Sequence, residues 1–454
     1  MSEPHFLIVT FPAQGHINPA LQFAKRLMRI GVRVTLSTTI YAKRRMTHSS
    51  FPEGLSLAPF SDGYDDGLKP GDDRDNYMAE FERRGSQSLS DLIEGNSFTC
   101  LIYTLLLPWA AKVARAQHIP SSLLWIQPAT VLDIYYYYFN GYGDMFRNCS
   151  DNDSSYVVKL PGGIPPLSSR DLPSFLAPGN PYSSVISIFE EQLKVINEEE
   201  NPKVLVNSFD ALESEALKGI ESIKMIGIGP LVPSGKDLSC GGDLFESSKD
   251  YIEWLNSKED ASVVYVSFGS IAMLSNEQME EIGKCLLKSK YEFLWVIRKD
   301  QKEKLSCTSE LESESESESG SEKKRKIVEW CSQLQVLSHP ALGCFVTHCG
   351  WNSTLESIVL GVPVVAFPQW TDQGTNAKLI EDQWETGVRV VPNERGIVEC
   401  EEIMRCLDLI MGECGNNFRN NAIKWKDLAG DALMDNGSSE INLRTFVNGI
   451  VSLN

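Results

Sequence analysis

The chain has 454 residues, more than one hydrophobic core supports, and its 42% hydrophobic and 23% charged residues are those of an ordinary globular protein with two domains. A formal net charge of −19 sets the surface against phosphate backbones and anionic bilayers, which excludes nucleic acid as an expected partner. No run of about 18 apolar residues exists to span a membrane, and eleven scattered cysteines without an export-type leader fit reduced thiols in a cytoplasmic protein.

His5–Phe11 reads as a buried strand and Pro12-Ala13-Gln14-Gly15 as a turn. Asn18 is placed to cap a helix with Pro19 in its first position; Leu21, Ala24, Leu27 and Met28 give that helix its apolar stripe and Gly31 ends it. Val32–Ser37 is the next strand, and a βαβ opening of this kind predicts a parallel sheet flanked by helices. Leu101–Tyr103, Ser122–Ile126 and Lys203–Val206 continue the alternation. The polar connections at 61–76 and 147–155 are long, and long loops in α/β proteins tend to carry binding functions. The run Tyr135–Tyr138 with Phe139 reads either as a core helix or as the lining of an aromatic ligand site.

Pro230, Pro233, Gly235 and Gly241-Gly242 mark a linker, after which Ser262–Phe268 reads as strand, Glu277–Lys290 as helix and Phe293–Ile297 as strand. Residues 311–320, LESESESESG, with the basic quartet Lys323–Lys326 behind them, read as a solvated low-complexity loop. Alternation continues to Val391, and Asn421–Met434 and Ser439–Val447 close the chain as helices. The fold class expected is α/β: two doubly wound, Rossmann-like domains, 1–240 and 241–435, with a closing segment 436–454. In such folds ligands bind beyond the carboxyl ends of the strands, so the cleft between the sheets is the expected site.

Several residues fall just past those ends. His16, one of six histidines, follows the first strand, and a neutral imidazole there can take a proton from a hydroxyl. Gly269-Ser270 follows the first strand of the second domain and lets backbone amides approach a phosphate. It lacks the lysine of a long phosphate loop, and no Gly-x-Gly-x-x-Gly follows a strand, which counts against a nicotinamide dehydrogenase. Gly343–His348 reads as a strand running into Cys349-Gly350-Trp351 and a helix that begins near Asn352. Asn352 or Ser353 caps this helix, and Ser353 to Glu356 has capping-box spacing, so Glu356 is either a cap partner or a hydroxyl ligand. His348, Asn352 and Ser353 around a helix N-terminus suit a diphosphate. Cys344, His348 and Cys349 raise a metal site, but a second ligand pair is missing and a strand ending in small residues is the preferred reading. Asp372 and Gln373, beyond the strand Val364–Phe367, suit a ligand with several hydroxyls, and Trp330, beyond the strand Lys326–Glu329, offers an indole face to a nucleobase.

Together these residues lie in WCSQLQVLSHPALGCFVTHCGWNSTLESIVLGVPVVAFPQWTDQ, residues 330–373, which resembles the signature box of the plant secondary-product UDP-glycosyltransferases. FPAQGHINPALQFAKRL and VVYVSFGS extend the resemblance over the chain. The resemblance implies the GT-B fold, inversion at the anomeric carbon, no metal and no cofactor beyond UDP-glucose as donor. It implies that Trp330 stacks on uracil with Cys331 and Gln333 at its edge, and that Glu356 binds the ribose. Ser270, His348, Asn352 and Ser353 would hold the diphosphate, Trp351 would lie close to the sugar, and Asp372 and Gln373 would bind its hydroxyls, with glutamine at the last position resembling glucose users. His16 matches the general base, and the closing helix is expected to pack on the first domain. The expected partners are a UDP-sugar and a small hydrophobic acceptor, with the chain a monomer.

One position departs from the pattern. Many relatives carry an aspartate that orients the catalytic histidine, where CLIYTLLLPWA here places Thr104. Threonine can hydrogen-bond an imidazole but cannot stabilise imidazolium by charge. Thr104, TLLLPWAA and WIQP resemble the subgroup of anthocyanin 5-O-glucosyltransferases and crocetin glucosyltransferases. An acidic phenol of a flavonoid or anthocyanin is the expected acceptor, with glucose-ester formation on a carboxylate as the alternative, and a non-catalytic nucleotide-sugar binder as a remote one.

Overall fold

The computed structural model describes residues 3–46, 51–69, 71–149, 156–177, 180, 183–233, 250–270, 272–302, 305–306 and 324–452. The linker glycines 235, 241 and 242, the acidic repeat 311–320, Lys323 and the stretch 150–155 lie outside them. The chain divides into two compact units, Met1–Leu244 with Ala429–Asn454, and Phe245–Leu428.

In the first unit the described strands are β1 (His5–Val9), β2 (Arg33–Ser37), β3 (Ser56–Leu57), β4 (Cys100–Thr104), β5 (Ser121–Trp125), β6 (Lys203–Val206) and β7 (Lys224–Gly227). They pair in parallel in the order β3-β2-β1-β4-β5-β6-β7. HFLIV in β1 and CLIYT in β4 are buried at every position, as strands covered by helices on both faces must be. The order reverses between β1 and β4, and such a switch point opens a crevice at the carboxyl edge of a sheet.

The helices of this unit that bear on the site are α1 (Gln14–Arg29), α2 (Ile40–Arg45), α3 (Arg74–Glu94), α4 (Pro108–Ala116) and α5 (Ala129–Tyr137). Helix α1 corrects an expectation. It begins at Gln14, its N-cap Ala13 makes no side-chain cap bond, and Pro19 sits inside it, so Asn18 is not the cap. Burial of Ile17, Pro19, Ala20 and Leu21 outweighs the amide that proline lacks. His16 is thereby in the first helical turn instead of on a loop. Helix α5 lacks a side-chain cap from its own N-terminus. Glu213, from beyond β6, supplies one: its carboxylate accepts from the amides of Ala129 and Thr130, both at 3.0 Å, and from the Thr130 hydroxyl at 2.8 Å. Tyr135 on α5 is buried and stacks on Phe189, with centroids 4.1 Å apart and an 11° tilt, whereas Tyr136, Tyr137, Tyr138 and Phe139 are partly exposed.

The helix Ser438–Val451 belongs to this unit. It buries Leu443, Phe446, Val447 and Ile450, sets Phe446 edge-on to Phe6, and pairs Glu440 with Arg26 at 3.3 Å.

In the second unit the described strands are β8 (Val263–Ser267), β9 (Glu292–Val296), β10 (Arg325–Val328), β11 (Leu342–Thr347), β12 (Val364–Ala366) and β13 (Gly387–Arg389), parallel in the order β10-β9-β8-β11-β12-β13. The period of two divides its core. Val264 and Val266 of β8 face the cluster holding Phe293, Trp295 and Val346, while Val263 and Tyr265 face that of Leu294 and Phe345. Here the order reverses between β8 and β11.

Candidate active site

In the first unit, His16 and Thr104 meet at the switch point between β1 and β4. His16 Nδ1 lies 3.3 Å from Thr104 Oγ1, and the Phe11 amide donates to the same hydroxyl at 3.1 Å. Thr104 is wholly buried and His16 partly. Burial alone holds the imidazole down to about 3, so it is neutral at pH 7. The threonine does not fix the tautomer. Its hydroxyl can donate to Nδ1, which leaves the proton on Nε2, or accept from Nδ1–H, which leaves Nε2 a free base. A carboxylate would allow only the second. An aromatic wall flanks the histidine: Phe11 lies 5.2 Å from its ring, Phe81 packs on Phe11 at 5.5 Å, and Trp109 packs on Phe81 at 5.7 Å.

In the second unit, the switch point between β8 and β11 holds Gly269, Ser270 and His348. Gly269 has φ +72°, and a Cβ there would stand 2.8 Å from His348 Cε1; a Cβ on Gly350 would stand 2.6 Å from its Nε2. Two glycines thus clamp the imidazole from opposite loops, at positions where a side chain would displace it. Burial holds His348 down to about 4, so at pH 7 its ring is neutral and carries one N–H. Cys349 has φ +63°, Leu106 after β4 φ +73° and Thr371 after β12 φ +57°. Three non-glycine residues just past the ends of β4, β11 and β12 thus hold the left-handed conformation, which tightens the turns there.

The helix Trp351–Leu360 corrects a second expectation. Gly350 is its N-cap, there is no side-chain cap bond, and Asn352 and Ser353 lie inside its first turn. Ser353 and Glu356 form no capping box; both accept from Gln333 Nε2, at 2.9 and 2.6 Å. Gln333 starts the short helix Gln333–Leu337 beyond β10, and Tyr265 Oη reaches its Oε1 and the Cys331 sulfur at 3.5 Å each. Trp330, Cys331, Gln333, Ser353 and Glu356 therefore gather beside one helix N-terminus, Trp330 partly exposed and Cys331 buried. Asn352 is partly exposed on the same turn, and Ser270 is exposed. Trp351 is buried, with its ring 6.0 Å from that of Trp384.

Beyond β12, Asp372 and Gln373 are buried and held in place. Gln373 Oε1 accepts from the amides of Gln369 and Trp370, at 2.8 and 3.0 Å, which fixes the carboxamide with its oxygen toward its own loop. Asp372 accepts from Thr371 Oγ1 at 2.7 Å and from Asn376 Nδ2 at 2.8 Å. Asn376 Nδ2 also donates to the Cys349 carbonyl at 2.7 Å, tying the two strand-end turns together. Among the described residues no group of three or more His, Cys, Asp or Glu is placed to hold a metal ion; Cys344 and Cys349 are wholly buried.

The structure places Trp330, Gln333, His348, Asn352, Ser353, Asp372 and Gln373 past the carboxyl ends of strands of the second sheet, with Cys344 inside β11, and His16 and Thr104 at the carboxyl edge of the first sheet. Sequence reasoning missed Gly350, Asn376 and the wall of Phe11 and Phe81. The run FPAQGH could have pointed to Phe11, whereas nothing in the sequence of α3 marks Phe81.

Two doubly wound parallel units, each with polar residues gathered at its switch point, define a nucleotide-sugar glycosyltransferase of the GT-B fold. The crystal structure of Os79 from O. sativa in complex with UDP superposes with a TM-score of 0.85 at 33% identity, over 98% of this chain and 100% of that one. Phloretin 4'-O-glucosyltransferase of Malus domestica is 56% identical over 99% of this chain and 98% of its own length. Crocetin glucosyltransferase, chloroplastic, of Gardenia jasminoides is 56% identical over 98% of this chain and 97% of its own. The family described as "UDP-glucoronosyl and UDP-glucosyl transferase" matches residues 238–431. The chain belongs to this family of UDP-glycosyltransferases.

Proposed function

We propose that the chain transfers glucose from UDP-glucose, with inversion and without a metal, to an acidic phenolic hydroxyl of a small lipophilic plant metabolite of the flavonoid or anthocyanin class. The observation that carries this reading is the pairing of His16 with the hydroxyl of Thr104 in place of a carboxylate. A histidine so placed is a weak base, adequate for an acceptor that parts with its proton easily. The partly exposed Phe11 and the aromatic wall behind it suit a flat, apolar acceptor. The relatives named for phloretin and crocetin support the same range. The same weak base favours a carboxylate acceptor as a second reading, because a carboxylate arrives ionised at pH 7 and needs no base at all.

The proposed step is a single displacement. The acceptor oxygen gives its proton to His16 and attacks the anomeric carbon as the bond to the diphosphate breaks. The amides at the start of the helix Trp351–Leu360, with His348, Asn352, Ser353 and Ser270, stabilise the charge on the departing UDP. Trp330 stacks on uracil with Cys331 and Gln333 at its edge, and Glu356 takes the ribose hydroxyls. Trp351 backs the sugar, and Asp372 and Gln373 take its hydroxyls. The nine described cysteines are all free, which supports work in a reducing compartment such as the cytoplasm.

Mass spectrometry of products from UDP-glucose and a mixed panel of flavonoids, anthocyanins, carboxylic acids and aliphatic alcohols tests the acceptor class. Phenolic glucosides are the expected main product, and a preference for aliphatic alcohols overturns the reading. His16→Ala is expected to abolish most phenol turnover and leave UDP affinity, by calorimetry, where it was.

A further inference from the structure

Arg298 lies two residues beyond β9, outside every group assigned above. Its guanidinium donates through Nη1 to the carbonyl of Ser270, at 3.0 Å, and through Nη2 to that of Ala272, at 3.2 Å. It therefore grips the loop after β8 by two carbonyls. That loop begins at Gly269, whose φ of +72° brings it against the His348 ring. The strand order is β9-β8-β11, so three neighbouring strand ends are joined in series: Arg298 holds the loop, the loop holds the histidine, and the histidine borders the helix N-terminus at Trp351.

The chemistry of the grip favours an anion on the loop's far side. The C=O and N–H of a trans peptide point in opposite directions, so turning the Ala272 carbonyl toward Arg298 turns the Met273 amide away from it. Carbonyl oxygens left bare beside a diphosphate would repel it, and the guanidinium neutralises two of them with charge-assisted bonds. Both nitrogens that act here are spent on backbone, so this role does not require Arg298 to touch the ligand.

We propose that Arg298 is a positioning residue for the diphosphate of the donor: it sets the loop carrying Gly269 and Ser270 so that the loop and His348 together receive the two phosphates. The proposal rests on the reading that Ser270 and His348 hold the diphosphate. It predicts a dependence on phosphate that a merely structural arginine would not show.

The test compares uridine with UDP on the full chain. Calorimetry gives both affinities, and steady-state assays with UDP-glucose give KM and kcat, for the unaltered chain, Arg298→Met, Arg298→Lys and His348→Ala. Arg298→Met is expected to weaken UDP and lower kcat/KM for UDP-glucose by roughly tenfold, the size of one lost charge-assisted bond, while uridine affinity holds. Arg298→Lys, which keeps the charge but not the two-pronged grip, is expected to fall between. Equal weakening of uridine and UDP, or no weakening of either, overturns the proposal. Should Arg298→Met not fold, the lysine variant decides by the same comparison. If His348→Ala also leaves UDP unaffected, the diphosphate reading itself fails; if His348→Ala weakens UDP and the Arg298 variants do not, only the role of Arg298 fails.

Discussion

Replacing Thr104 by aspartate tests the account of the base. Burial alone holds His16 near 3, and among the described residues the hydrogen-bond partner of its Nδ1 is the Thr104 hydroxyl and not a carboxylate. An aspartate at the position of the hydroxyl 3.3 Å away places a negative charge against the ring, which raises an imidazole's pKa by about 1 to 3. At about 1.4 kcal/mol per pH unit, proton transfer to His16 becomes about 1.4 to 4 kcal/mol easier. An alcohol with a pKa near that of water, about 15.7, gives up its proton about 8 kcal/mol less readily than a phenol at about 10. The gain should therefore fall where the need is greatest. Thr104→Asp is expected to speed glucosylation of aliphatic alcohols by roughly ten- to a hundredfold, that of phenols less, and that of carboxylates not at all. The pH profile of kcat/KM gives a second reading. Imidazolium cannot accept a proton, so the rate falls as pH drops through the histidine's pKa. The unaltered enzyme should show no such limb between pH 5 and 8, and the variant should show one between about 4 and 6. An acid limb near 6.5 in the unaltered enzyme, or equal effects of the substitution on alcohols and carboxylates, refutes the reasoning.

Glu356→Gln removes the charge proposed to bind the ribose while keeping an acceptor for Gln333; UDP should bind about 10- to 100-fold more weakly by calorimetry. Incubation with a chelator should leave turnover unchanged, since the groups proposed to meet the diphosphate are amides and neutral donors. Asp133 on α5 is wholly buried, neither of its carboxylate oxygens has a hydrogen-bond partner among the described residues, and burial raises its pKa well above the usual carboxylate range. An acid whose folded pKa is raised contributes most below its unfolded value near 3.9 and loses that contribution as pH climbs toward the folded one. Asp133→Asn should therefore melt progressively higher than the unaltered protein from pH 5 to pH 8, by up to about 1.4 kcal/mol per pH unit.

Much of this arrangement was legible before any coordinates. β1, β4, β8 and β11 are continuous apolar runs because helices cover both faces of their sheets, and where each run stops, a residue with chemistry follows: His16, Thr104, Gly269-Ser270, His348. Helix starts were less legible. Pro19 looks like a first-turn residue, yet packing of its neighbours carries α1 back to Gln14. Ser353 and Glu356 have the spacing of a capping box, yet both face Gln333, twenty and twenty-three residues earlier on another helix. The pairing of Phe11 with Phe81 spans two helices' worth of chain in the same way. Local spacing reports what one element can do alone; these contacts exist only after strands far apart in the chain have come side by side.

The cap that Glu213 places on α5 has a consequence for how such enzymes diversify. The carboxylate reaches back 84 residues to Ala129, so the start of α5 is secured by a residue arriving after β6 and not by the segment that leaves the helix. Insertions or deletions between Tyr138 and Lys203 can accumulate without unwinding its first turn. That stretch can vary in length while the cap keeps its two partners, provided that Phe189 within it keeps its place against Tyr135.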